Sequence, residues 1–134
     1  AVFDACESTT ISAASQPLVV GIIAGGDIAL RHPVENAEDN YEQGWKDLAD
    51  KNVSVKDIVI GLSASGAAPY VLGALENCRK HDIVTGCVTC NEDSYVAQVS
   101  DYPVEVIVGP EFLTGSTRMK SGTAQKLVLN INRK

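Results

Sequence analysis

Three segments of this sequence carry residue types at spacings that chemistry can use. The first is Ser63-Ala64-Ser65-Gly66, which follows an apolar run and precedes Pro69. A strand-to-helix turn of that kind offers backbone N–H groups at a helix N-terminus, and its hydroxyls can donate to phosphate oxygens. Ser63, Ser65 and Gly66 are therefore candidate anion ligands. The same residues also suit an ordinary turn in which Ser65 only caps the helix. The second segment is Gly115-Ser116-Thr117-Arg118-Met119-Lys120-Ser121-Gly122-Thr123, which gathers hydroxyls, two cations and two glycines at a helix start. A solvated helix entrance seldom concentrates hydroxyls in this way, so Ser116, Thr117 and Lys120 are expected to touch a ligand. The third is acidic, with Glu35, Glu38 and Asp39 in one segment and Glu7 in another. Helix dipoles alone attract carboxylates to such positions. Two carboxylates brought from separate segments into one cleft can also work as acid and base, and spacing does not show that they meet.

The remaining reactive residues point to less. Cys87 and Cys90 have redox or metal spacing, but they close an apolar strand-like run rather than opening a helix, and no second pair exists. Buried structural thiols are the expectation. His32 and His81 have no partners at ligand spacing, so no metal site is expected. The net charge is −6, and Lys/Arg residues come together only in pairs, Arg79/Lys80, Arg118/Lys120 and Arg133/Lys134. That argues against a nucleic-acid partner. No apolar run reaches spanning length and no signal-like segment opens the chain, so no membrane partner and a cytoplasmic location are expected.

The elements that must position these residues alternate in type. Apolar, β-branched runs at 18–23, 58–62, 83–89 and 104–108 read as buried strands. Between them, 34–50 carries Ala37, Tyr41, Trp45 and Leu48 at helical spacing, and 69–80 opens with Pro69 in a first-turn position. Shorter helices are expected over 95–100 and from Ser116 or Thr117 onward. Four strands alternating with helices imply an α/β three-layer sandwich on a parallel sheet, as one domain. Ligands in such sheets bind beyond the carboxyl ends of the strands, where 24–27, 63–68, 91–94 and 109–117 are all polar and Gly/Ser-rich.

The long run GPEFLTGSTRMKSGTAQKLVLN at 109–130 closely resembles the signature shared by N-acetylmuramic acid 6-phosphate etherases and the glucokinase regulatory protein. IAGG at 23–26, VENAED at 34–39, ASG at 64–66 and PYV at 69–71 are also similar to the etherases. The resemblance spans nearly the whole chain. It implies a sugar isomerase (SIS) domain of flavodoxin-like topology. It further implies cleavage of the D-lactyl ether of N-acetylmuramic acid 6-phosphate, giving N-acetylglucosamine 6-phosphate and D-lactate. That reaction runs by elimination and hydration, without metal or organic cofactor. The family's two acid/base glutamates carry over onto Glu7 and Glu38, with Glu38 assigned to the C2 proton and Glu7 to the departing ether oxygen.

Departures from the family pattern matter as much. Its first strand and Gly-Thr-Ser-Gly loop are absent before Asp4-Ala-Cys-Glu7, and Ala67-Ala68 replace the usual Arg-Thr. Glu92 and Tyr95 stand in place of two prolines. The resemblance thus implies a partial SIS domain over 1–134, an under-covered apolar sheet face and a homo-oligomer such as a dimer. Two further readings stay open, a non-catalytic sugar-phosphate regulator and an inactive folded fragment or designed scaffold. An aldose–ketose isomerase fits the long signature less well.

Overall fold

The computed structural model describes residues 19–131. Three parallel strands, β1 (Ile58–Ser63), β2 (Val84–Thr89) and β3 (Tyr102–Glu105), form one sheet in that order. Among the described residues the α-helices are α1 (Tyr41–Asp50), α2 (Pro69–Lys80), α3 (Tyr95–Val99) and α4 (Lys120–Ile131). Short 3-10 turns at Gly26–Leu30 and Ala37–Asp39 precede them. The helix α2 links β1 to β2 and α3 links β2 to β3, which is the strand–helix–strand alternation of an α/β sheet. None of these helices is long and apolar enough to cross a membrane.

The centre of the sheet is β2, where every residue from Thr85 to Thr89 is buried, so its sequence reads as a continuous run. On one face, Leu75, Cys87, Val96 and Ala97 form the core under α2 and α3. Leu75 and Val96 are fully buried, and each such side chain contributes roughly 1.5–3 kcal/mol by leaving water. Gly61 allows α2 to lie close, because a methyl group there would run into Val71 and Leu75. The register aligns Ile60 with Gly86 and Gly86 with Tyr102. The opposite face therefore carries Ile58, Ile60, Val84, Val88, Tyr102 and Val104; Val88 is buried, but much of the rest is open to solvent, with Ile58 69%, Ile60 53% and Tyr102 70% exposed. The helix α4 reaches the sheet near the end of β2, where Gln125 Nε2 donates to the Val88 carbonyl at 3.3 Å.

Several expectations are corrected. The run at 18–23 forms no strand over its described residues 19–23, and β1 pairs only with β2. A β-branched run becomes a strand through its neighbours rather than by itself, and this one leads directly into a left-handed turn at Gly25 and Gly26. The expected helix over 34–50 begins only at Tyr41. Asn36 takes a left-handed conformation, and the Asn40 side chain caps the helix by accepting from Gln43 N–H at 3.1 Å. Strand β3 lies two residues earlier than expected, because Asp101 Oδ2 accepts from both the backbone N–H (2.9 Å) and the hydroxyl (2.8 Å) of Thr85 and so fixes the register. The helix α1 packs on α2 rather than becoming another cover for the sheet. Tyr41 donates to Glu76, Tyr70 donates to Asp47 at 2.5 Å, and Trp45 stacks on His81 with centroids 4.5 Å apart.

Candidate functional site

The polar segment after β1 is a tight turn whose acceptors are already used. Ser63 is buried at the strand end, and both its carbonyl and its Oγ accept from Gly66 N–H at 3.1 Å. Ser65 is exposed and its Oγ accepts from Ala67 N–H at 3.2 Å. Gly66 has φ of 69°, a left-handed conformation that suits glycine.

The loop after β2 binds this turn from the side. Cys90 N–H donates to the Ala64 carbonyl at 3.0 Å, and Val96 N–H donates to that of Gly66 at 3.0 Å. Asn91 Nδ2 lies 3.2 Å from the Ala64 carbonyl and 3.1 Å from that of Ser65. The carbonyls of residues 63–66 are thus all occupied, and among the described residues neither the Ser63 nor the Ser65 hydroxyl donates a hydrogen bond. Helix α2, which starts beyond the turn, has no side-chain cap. The Gly66 and Ala67 N–H groups are spent inside the turn, so an anion here would be met by the exposed Ser65 hydroxyl at a helix start that carries no carboxylate.

The third segment reaches the same edge of the sheet through Cys90, whose Sγ lies 3.9 Å from the Ser121 carbonyl of α4. Here Glu111 takes a part that sequence reasoning missed. Its Oε2 accepts from Lys120 N–H at 3.1 Å and its Oε1 from Ser121 N–H at 3.0 Å. These bonds, Ser121 first, hold the Glu111 carboxyl below the usual glutamate range despite an opposing contribution from desolvation. Lys120 Nζ donates to the Pro110 carbonyl at 2.8 Å, so both ends of the 110–120 loop are tied together. The helix starts at Lys120 rather than at Ser116 or Thr117, which stay in the loop with Thr117 exposed. Nothing local marks Glu111 as a cap, because it lies nine residues before the helix it caps.

Ser63, Ser65, Gly66 and the start of α4 are therefore brought to one edge of the sheet, joined by Cys90 and Asn91. Glu38 is not hydrogen-bonded to either loop. It is exposed in the Ala37–Asp39 turn, which packs against α2. Glu7 lies outside the described residues. Cys78, Cys87 and Cys90 are free, buried thiols, and burial pushes the Cys78 thiol up to about 11. Cys87 belongs to the α2–α3 core while Cys90 faces α4, so the two are not a pair. Among the described residues, no group of three His, Cys, Asp or Glu side chains is placed to hold a metal ion.

Comparison with known proteins gives this geometry a context. Residues 2–79 match the family described as the glucokinase regulatory protein N-terminal SIS domain. Over 130 residues, 97% of its length, the chain is 55% identical to an N-acetylmuramic acid 6-phosphate etherase of Christiangramia forsetii and covers 47% of that protein. The corresponding protein of Bacteroides fragilis is 54% identical over 97% of this chain and 46% of its own length. The chain spans about half the length of the curated relatives it matches. In fold it is similar to Vibrio vulnificus NanR solved with ManNAc-6P, with TM-score 0.53 and 18% identity, over 69% of this chain and 36% of that one. It is similar also to a protein from Salmonella typhimurium assigned as a phosphosugar isomerase, with TM-score 0.51 and 16% identity, over 91% of this chain and 31% of that one. At those identities the two structures speak to the fold alone.

Proposed function

The chain belongs to the glucokinase regulatory protein N-terminal SIS domain family, and from that membership we propose that it is the sugar-phosphate-binding part of an N-acetylmuramic acid 6-phosphate etherase. The observation that carries this reading is 55% identity to a protein of that name over 97% of the chain. The turn at 63–66 supports it, since its carbonyls are occupied, no carboxylate caps the helix that follows, and the exposed Ser65 hydroxyl is free to donate to a phosphate. Ser63, Ser65 and Gly66 receive the phosphate in this reading, and Ser116, Thr117 and Lys120 approach the sugar from the third segment. We read residues 1–134 as one partial SIS domain that works in the cytoplasm.

The chemistry proposed is elimination of D-lactate followed by addition of water. Glu38 removes the proton at C2, which the open-chain aldehyde makes acidic, and Glu7 protonates the departing ether oxygen. The exposure of Glu38 suits a base that must meet substrate from solvent. Self-association belongs to the same proposal, supported by the exposed face of Ile58, Ile60, Val84, Tyr102 and Val104. A second reading, a sugar-phosphate-binding regulator without catalysis, is favoured by the name of the matched family.

Incubation with N-acetylmuramic acid 6-phosphate, beside a Glu38→Ala variant, separates the two. D-lactate released by the unaltered chain and not by the variant supports the etherase. A folded chain that binds the sugar phosphate and releases no lactate supports the regulator.

A further inference from the structure

The sequence offers two helix starts to an anion, one at Pro69 and one near Lys120, and the structure treats them differently. Every first-turn N–H group of α4 is filled from within the chain. Lys120 and Ser121 donate to Glu111, Gly122 donates to the Thr117 carbonyl at 2.9 Å, and Thr123 donates to that of Met119 at 3.0 Å. The ammonium group near this end, Lys120 Nζ, is engaged by the Pro110 carbonyl. A second anion arriving here would find no free donor of the first turn, and it would meet the charge of Glu111. At the other start no carboxylate caps α2, although Pro69 has no N–H and those of Val71 and Leu72 donate to the Ala68 carbonyl at 3.1 and 3.0 Å.

We propose that Glu111 is a specificity-determining residue that closes the N-terminus of α4 to anions. It directs the anionic group of a ligand to the β1–α2 turn and leaves the Ser116–Thr117 segment to offer hydroxyls to the uncharged part. The proposal rests on the sugar-phosphate reading for its biological meaning. Its physical content, which helix end accepts an anion, is independent of that reading. Glu111 acts through the donors it occupies and through the loop it ties, so it is a positioning residue rather than a catalytic one.

The test is titration of the chain with inorganic phosphate, followed by backbone amide chemical shifts. In the unaltered chain the Lys120 and Ser121 amides are expected not to move. In Glu111→Gln, which keeps the size and removes the charge, those two amides should gain a saturable response at least about fivefold tighter than any in the parent, matching the loss of one local charge at a helix end. Phosphate shifting these amides in the unaltered chain, or leaving them unmoved in a folded Glu111→Gln chain, would overturn the proposal. Should Glu111→Gln fail to fold, Glu111→Ala is titrated in its place, and unmoved Lys120 and Ser121 amides in that folded variant would equally overturn the proposal. Absence of any response around Ser65 and Gly66 in the parent would count against the sugar-phosphate reading, and the two α4 amides would still report on Glu111.

Discussion

Gly66 and Ser94 meet where the turn after β1 touches the start of α3. A methyl group on Gly66 would overlap the Ser94 Cβ and Oγ, and the Gly66 carbonyl accepts from Val96 N–H two residues further on, at 3.0 Å. Ser94 Oγ is itself the cap of α3, accepting from Ala97 N–H at 3.3 Å. One glycine thus fixes both the candidate anion turn and the entry of the next helix.

Gly66→Ala is therefore expected to destabilise the chain by about 3 kcal/mol, from a left-handed β-carbon and a steric overlap together. Chemical denaturation measures it. A loss below about 1 kcal/mol would mean that the α3 entry yields easily and that Gly66 is not the joint described.

Gly44 and Gly73 make the same kind of close approach between α1 and α2. Added methyl groups would overlap the carbonyl oxygens of Tyr70 and Tyr41 respectively. An alanine within an exposed helix would normally gain about 1 kcal/mol in propensity. Here overlap should win, so Gly44→Ala and Gly73→Ala should each lower stability. Trp45 is the only tryptophan and stacks on His81 of the same helix pair, so its fluorescence should report α1 moving off α2. Unchanged emission with raised stability would contradict the crossing.

Two carboxylates, exposed Asp101 and half-buried Glu111, give the pH dependence. Hydrogen bonds from the Thr85 side chain and backbone lower the Asp101 carboxyl from its ordinary value, and those from Ser121 and Lys120 lower Glu111. A group with a depressed folded value adds stability above its unfolded value, near 4, and loses it as pH falls through the folded value. Melting temperature should therefore hold between pH 7 and about 5 and fall below about 4. Thr85→Val removes the hydroxyl bond to the Asp101 carboxylate and the one the hydroxyl accepts from Asp101 N–H, so it should lower the melting temperature at pH 7 and flatten the acid fall. An identical acid profile in the variant would remove Asp101 from the account.

The strands β1 and β2 and the helix α2 were legible because local pattern and burial agree there. Runs of apolar residues end in Ser/Gly turns, and Pro69 marks the next start. The run at 18–23 misled because strand formation needs a partner edge, which composition does not encode. The segment at 34–40 misled because two asparagines, Asn36 and Asn40, take backbone roles that a hydrophobic stripe cannot reveal. At the site, the donor turn could be read from its serines. The bridging amide of Asn91 and the cap made by Glu111 could not, because each acts across many residues on a part of the chain that only folding brings near.

The central claim is that the β1–α2 turn holds the phosphate of a sugar phosphate. Isothermal titration with N-acetylglucosamine 6-phosphate, on the unaltered chain and on Ser65→Ala, tests it most directly. Ser65 is exposed and outside the core, so its replacement should leave the fold intact. Loss of one hydroxyl donor to a charged group corresponds to roughly 1.5–3 kcal/mol. The account predicts saturable binding to the unaltered chain, weakened tenfold or more in the variant (about 1.4 kcal/mol per factor of ten). Equal binding by both chains, or none by either folded chain, would contradict it.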